Sequence, residues 1–356
     1  MAKISVKTFS ETDLNGYLEL SQLEYGVTAS SDAEHIRWKH LNSEFGKSLY
    51  VNLAENQRVI GRALIQPRNL HTSLRTYKLG QVMDLLIDKS HRTTPANFIN
   101  LTKACGNIKN YDLVFHTSNE NSFPLYSKLF RFSSPFSLKS YGFPVRFASL
   151  CSLFIGHRIN AIDVFTAPFR WLLLATSYAV NSVVRLDITE NSMSDDEIET
   201  LCAKCLRESG SHLTRSNAFL NWRFRDAPVW PAMISRIDRK GYFLGYVVTR
   251  KVVLGGQTHF VLMDFIFDPS MACYARLSLR LWLIRKAIIS RSDVFFLMAN
   301  PFSNIASKGI GFPFISISEK LLPHTTPIFM RARTSDSEKL ELDRSIHLTL
   351  ADLDYF

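Results

Sequence analysis

Met83-Asp84-Leu85-Leu86-Ile87-Asp88 is a short apolar run closed at each end by aspartate, and it returns as Met263-Asp264-Phe265-Ile266-Phe267-Asp268. Such a run reads as a buried strand whose polar ends reach the rim of a sheet. The copies lie 180 residues apart (264 − 84 = 180), about half of the 356-residue chain. Working outward, other landmarks keep nearly the same offset. Leu220-Asn221-Trp222-Arg223-Phe224 answers Ile36-Arg37-Trp38-Lys39-His40, with 222 − 38 = 184. Gly245 answers Gly61 at the same 184, and Asn300 answers Asn119 at 300 − 119 = 181. Four landmarks in so narrow a band indicate a duplicated domain.

Each half reads in the same order: strand, helices, three antiparallel strands, helix, strand, helix, strands. In the first half, residues 3–9 read as a strand and Ser10 as the N-cap of a helix with Asp13 three positions on. A hairpin follows at 50–54 and 59–65, then a long strand at 77–88 and a helix at 94–107. Residues 113–115 read as a buried strand, 122–130 as a short helix and 137–147 as strand. The second half opens with a strand at 183–188 and a capping-box helix start at Ser194 to Glu197. The expected class is α/β: two tandem domains, each a mostly antiparallel mixed sheet with helices on both faces. The expected division is 1–147, an apolar linker helix region at 148–181, and 182–356.

Composition bounds the function without choosing it. With 46% hydrophobic and 21% charged residues the chain is globular, and its length exceeds one comfortable core. The formal charge of +10 suits an anionic ligand or surface, but Lys and Arg are scattered rather than gathered in the stripe a nucleic acid prefers. Five cysteines in no regular framework suggest reduced thiols and a cytoplasmic setting. Cys202-Ala-Lys-Cys205 has metal-like spacing with no second pair to complete a site, and the histidines show no ligand spacing, so no metal is expected. The N-terminus lacks the apolar core of a signal peptide. The most apolar window, 169–184, is too short to span a bilayer; it reads as a packed linker helix, with membrane-surface contact as the other reading. No nucleophile elbow, Walker loop or dinucleotide fingerprint is present.

The order of elements resembles the GNAT superfamily of N-acetyltransferases in its tandem form, over nearly the whole chain. In that family the fourth strand ends in a bulge whose backbone bonds the pantetheine arm of acyl-CoA. A loop of pattern R/Q-x-x-G-x-G/A then holds the pyrophosphate at a helix N-terminus, where backbone N–H groups form an anion site. Here that strand ends at Leu86, Ile87 and Asp88, and the loop is Arg92-Thr93-Thr94-Pro95-Ala96-Asn97. Arg92 fits; Pro95 replaces the first glycine and removes a donor; Asn97 replaces the last small residue; Thr93 and Thr94 offer hydroxyls. The second landmark, N-x-x-A-x-x-x-Y-x-K-x-G-F, is met by Asn119, Tyr126 and Lys128 in the first half. In the second half Asn300, Gly311 and Phe312 fit and the tyrosine has become Ser307.

The resemblance implies acyl transfer from acetyl-CoA, as co-substrate, to an amine. It places Tyr126 as acid for the leaving thiolate and a backbone N–H of the fourth strand on the carbonyl. Asp84 stands as candidate general base, against a reading as a paired carboxylate at the sheet rim. Tyr126 has its own alternative, a ring packed in the core. Trp38 and Trp222 read as packing anchors, with Lys39 and Arg223 beside them as groups that face an anionic substrate. The expected cofactor edge is Leu86, Ile87, Asp88, Arg92, Thr93, Thr94, Asn97 and Asn119, in the first half only. The acceptor expected from tandem members of this kind is a small-molecule amine such as an amino sugar. Two other readings stand beside this one: an aminoacyl-tRNA-dependent transferase on a tandem fold, and a non-catalytic binding or scaffolding module.

Overall fold

The computed structural model describes residues 2–56, 58–117, 124–149, 151, 160–190, 192–254, 256–317 and 326–353. The first half runs β1 (Lys3–Thr8), α1 (Glu11–Tyr25), β2 (Leu49–Glu55), β3 (Arg58–His71), β4 (Thr76–Ile87), α2 (Pro95–Gly106), β5 (Leu113–Thr117) and β6 (Ser133–Pro144). After the linker helix α3 (Ala167–Val184) come β7 (Leu186–Thr189), α4 (Asp195–Ser209), β8 (His212–Leu213), β9 (Met233–Arg239), β10 (Tyr242–Leu254), β11 (Gln257–Phe267), α5 (Cys273–Ile289), β12 (Val294–Ala299), β13 (Ile315–Ser316) and β14 (Thr326–Ala332). The expected order of elements is therefore present twice. Both anticipated capping boxes form: Ser10 with Asp13 starts α1, and Ser194 with Glu197 starts α4. Val183 and Val184, read as strand, instead end α3; Arg185 closes that helix in the left-handed conformation and β7 begins only afterwards.

The strands form one continuous sheet in the order β1-β2-β3-β4-β5-β14-β6-β12-β11-β10-β9-β7. Pairing is antiparallel except where β4 meets β5 and β11 meets β12. The centre of this order is an exchange. β14, from the second half, pairs with β5 of the first, while β6, from the first half, pairs with β12 of the second. β14 and β6 also pair with each other and close the seam. Each half thus lends the other a strand, and the main core mixes side chains of both, among them Leu70, Phe115 and Phe136 with Tyr246, Met263 and Leu350.

The second tie is local. Trp38 and Trp222 lie in matching π-helical turns, Arg37–Leu41 and Asn221–Arg225. Trp38 Nε1–H donates to the Trp222 carbonyl at 2.7 Å, and Trp222 Nε1–H donates to the Trp38 carbonyl at 3.0 Å. The rings stack at 5.4 Å between centroids. A buried indole needs a partner for its N–H; here each uses the other's backbone, so the pair sits on an approximate two-fold relation between the halves. Gly245 takes the position of Gly61 beside the long strand, and here only glycine fits: its φ is +144°, and an added Cβ would stand 2.2 Å from the Ile266 carbonyl oxygen.

The exchange sets an expectation for fragments. Residues 1–147 alone leave β5 without β14 and are expected to show no cooperative melting transition, regaining one when mixed with residues 148–356. A sharp transition in the isolated fragment would refute the dependence. Trp222→Ala opens a cavity and removes the indole donor to the Trp38 carbonyl, and is expected to lower stability by roughly 3–5 kcal/mol in denaturant titration.

Candidate active site

The repeated Asp-flanked strand carries a bulge in both halves. β4 slips register against β3 between Arg62 and Leu64, and Asp84 at the slip has φ +50°. β11 slips opposite Val248 and Thr249, beside Met263 and Asp264. A bulge adds twist and turns the strand end away from its neighbour. Accordingly β4 pairs with β5 only from Leu79–Leu113 to Gln81–Phe115, although β4 continues to Ile87. β11 likewise leaves β12 after Leu262–Leu297 and continues to Phe267. Each half therefore contains a wedge between two parting parallel strands.

The two aspartates have different surroundings. Asp84 accepts from Tyr17 Oη (2.8 Å) and His40 Nε2 (2.7 Å) on one oxygen and from Lys39 Nζ (2.9 Å) on the other. Tyr17, Lys39 and His40 are buried, while Asp84 retains a little exposure. Burial holds the His40 pKa down at about 4 against the opposing pull of Asp84. Neutral His40 then donates from Nε2 and takes Ser48 Oγ, 3.0 Å away, on Nδ1. Asp264 is wholly buried and accepts from Arg215 Nε (2.8 Å), Tyr246 Oη (2.9 Å) and Thr349 Oγ1 (2.7 Å). Arg215 continues to Asp352, which also meets Arg68 of β3 at 3.0 Å. Asp84 is therefore the paired rim carboxylate of the alternative reading, with both oxygens engaged.

The second wedge is filled by the chain's own residues 346–353. His347 Nε2–H donates to the Phe265 carbonyl at 3.0 Å, and Ala299 bridges to Thr349 beside β12. Asn300 N–H bonds the Leu348 carbonyl, and Arg223 holds the Ala351 and Leu353 carbonyls. In the first half the position matching Phe265 is Leu85, and among the described residues no side chain donates to its carbonyl. The same charged positions differ in use: Lys39 is spent on Asp84 and Arg223 on the C-terminal segment, so neither faces a substrate as expected.

The remaining candidates divide. Leu86 and Ile87 are buried and pair with Arg62 and Gly61, and the Ile87 carbonyl already accepts from Arg92. Asp88 caps the turn Lys89–His91, accepting from Ser90 N–H and Oγ–H, bonds that hold its pKa down. Asp268 and Ser270 repeat this cap in the second half. Arg92 donates from Nε to the Ile87 carbonyl and pairs with Glu24 at 2.8 Å. Thr93 and Thr94 are exposed, and Thr94 begins α2 with no side-chain cap. Asn97 braces the loop by donating to the His91 carbonyl.

Tyr126 lies in the turn Leu125–Leu129 with its ring among Phe98, His116, Phe130, Phe132 and Phe329. Burial pushes its hydroxyl pKa upward, away from the range in which a phenol readily gives a proton to a thiolate. This is the packed ring of the alternative reading. Asn119 lies outside the described residues. Cys202 and Cys205 are buried free thiols in α4, and among the described residues no group of acids, histidines and cysteines is arranged to hold a metal. Tyr17, His40, His347 and Thr349 were not singled out in the sequence, because nothing in their local pattern marks a partner many residues away.

Removing the Asp84 carboxylate strands a buried ammonium. Asp84→Ala is expected to cost roughly 3–5 kcal/mol, with part restored in the double variant carrying Lys39→Met; an additive pair would show that the two do not interact. His35, His40, His116, His212 and His347 are all held at about 4, burial being the first cause. The unfolded imidazole titrates near 6.5, so below that pH the unfolded chain takes up protons first. Stability is complete above about pH 6.5 and declines as pH falls toward 4. The melting temperature is expected to drop across that window, less steeply in His116→Gln; a flat profile contradicts it.

No family model matches the chain, and no curated protein matches it. Solved structures do. A GCN5-related N-acetyltransferase from Anabaena variabilis superposes with TM-score 0.59 at 11% identity, covering 93% of this chain and 73% of that one. A probable N-acyltransferase from Enterococcus faecalis gives 0.58 at 12%, covering 97% and 74%. N-myristoyltransferase of Saccharomyces cerevisiae with bound myristoyl-CoA gives 0.52 at 12%, covering 92% and 79%. With two parting-strand wedges, two bulged strands and these likenesses along nearly its whole length, the chain has the fold of the GCN5-related N-acetyltransferases.

Proposed function

We propose that this chain is an acyl-CoA-dependent N-acyltransferase whose acyl-CoA edge is the first wedge, between β4 and β5. The observation that carries this is the asymmetry of the two strand ends. The Phe265 carbonyl is taken by His347 within the chain, whereas the Leu85 carbonyl has no side-chain donor among the described residues. Backbone groups left free at a parting strand accept an extended ligand as they would another strand. The pantetheine arm of an acyl-CoA, with its amide groups, is such a ligand. At the start of α2 the exposed Thr93 and Thr94 supply hydroxyls toward the pyrophosphate, since Pro95 has no N–H and the Asn97 N–H bonds the Thr94 carbonyl. The corresponding helix α5 also starts without a side-chain cap, so the strand edge, not the helix, distinguishes the halves.

In the reaction the acceptor amine attacks the thioester carbonyl. The C–N bond forms, the C–S bond breaks, and coenzyme A leaves as thiol with a proton from the amine. The backbone N–H at the bulge polarises the carbonyl. Asp84, held by three donors, fixes the bulge. Residues 1–147 supply the acyl-CoA side, and the second half, its wedge filled, serves as scaffold and acceptor wall across the shared sheet. Acetyl transfer to a primary amine of a small molecule such as an amino sugar is the specific form we propose.

Binding is tested by thermal shift with acetyl-CoA and longer acyl-CoAs. A saturating rise of a few degrees is expected, reduced in Arg92→Glu, which sets a carboxylate against Glu24, and retained in His347→Ala after correction for that variant's own lower baseline. No rise with any acyl-CoA would sink the proposal and favour a non-catalytic module. Tyr126→Phe should leave both acyl-CoA binding and turnover in place; a loss of turnover with binding intact would put Tyr126 in the chemistry.

A further inference from the structure

Helix α3 spans 18 residues, roughly 27 Å. Its inner side, with Leu173, Ser177 and Val184, lies against the protein, and its contacts are chiefly with α5. Its outer side carries no charge along the whole length. Trp171 is 71% exposed and Val183 81%, with Leu172 and Tyr178 between them and Phe169 ahead of them, and Phe165 just before the helix is 83% exposed. The one charged residue of α3, Arg170, is turned onto Asp163 at 3.7 Å. A lone exposed apolar residue is ordinary; a contiguous face of this kind marks an interaction surface. No helix among the described residues is long and apolar enough to cross a membrane.

The charge around this face has one sign. The short helix Asn160–Phe165, α3 and α5 contain a single carboxylate, Asp163, which is already paired. Against it stand Arg170, Arg285 and Lys286, and Arg285 lies over the Tyr178 ring at 4.4 Å. Beside Trp171 a cavity of about 500 Å³ is lined by Arg146, Arg170 and Arg291. Two of these have partners, Arg146 with Asp293 and Arg170 with Asp163, and the lining keeps a positive excess. An apolar helix face bordered by a cationic hollow matches the two layers of an anionic bilayer surface, acyl chains below and phosphates above.

We infer that α3 is a membrane-surface helix. It lies in the plane of an anionic phospholipid leaflet, with Phe165, Trp171, Leu172 and Val183 among the acyl chains and a lipid phosphate among Arg146, Arg170 and Arg291. This inference does not depend on the acyl-transfer reading.

The test uses the full chain and vesicles of phosphatidylcholine, with or without about one-third phosphatidylglycerol. Sedimentation with the anionic vesicles is expected, weakening as salt is raised. Trp38, Trp222 and Trp282 are buried and Trp230 is half-buried, so the exposed Trp171 should give most of a blue shift of emission and of its quenching by brominated lipid, and Trp171→Phe should remove that part. The double variant Trp171→Glu, Leu172→Glu should lose binding more than about tenfold, and Arg291→Glu at least about fivefold. Both substitutions lie on the exposed surface, and an unchanged melting temperature shows that the variants fold. Equal binding to neutral vesicles, or none to anionic ones, overturns the inference. So does a dimer in light scattering that Leu172→Glu converts to monomer without any vesicle binding, which would make this face a contact between two copies.

Discussion

Two indole N–H groups, each bonded to the backbone carbonyl of the other tryptophan, fix how the halves of this protein meet. Neither Trp38 nor Trp222 is satisfied without its counterpart. The reciprocity places the turns Arg37–Leu41 and Asn221–Arg225 back to back, and the next residue in each turn inherits a fixed direction. On one side that residue is Lys39, which reaches Asp84; on the other it is Arg223, which clamps residues 351 and 353. One symmetric contact thus leads to two unlike consequences.

The asymmetry is chemical rather than topological. Both halves keep the bulge, the wedge and the Asp–Ser turn cap. They differ in what occupies the wedge and in how the bulge aspartate is neutralised. Asp264 is sealed by a guanidinium, a phenol and a hydroxyl, and Arg215 links it to Asp352 and so to Arg68 of the first half. A buried charge chain of this kind is stable only when every member is present, which explains why the second wedge is closed by a specific segment. Asp84 instead keeps slight exposure and a neutral histidine partner.

Much of this was legible in the sequence because it is carried by local pattern. The offset between Asp84 and Asp264, the capping boxes at Ser10 and Ser194, and the apolar strands all follow from short-range rules, and together they gave two copies of one fold and its class. The partners of Trp38 and Trp222 were half legible: their equivalence shows in the offset, while their mutual contact needs the two-fold relation. The strand exchange was not legible, since β6 and β14 carry the same alternating pattern whichever strand they join. The candidate site was read less well than the fold. Lys39, Arg92 and Tyr126 were marked by residue type and position, yet Asp84, Glu24 and an aromatic cluster claim them, and those partners lie elsewhere in the chain. Asn119 stays an expectation.

The exchanged strands also govern the order in which the protein can be made. A nascent chain presents β5 early, but the strand that covers its free edge, β14, begins 209 residues later (326 − 117 = 209). Until then the growing first half carries an open hydrophobic edge, and β6 waits in the same way for β12. Folding during synthesis therefore stalls at an incomplete sheet and finishes in one late, long-range step, of the kind that slows folding and exposes aggregation-prone edges. For this architecture the vulnerable species is the half-made chain, in which β5 stands uncovered.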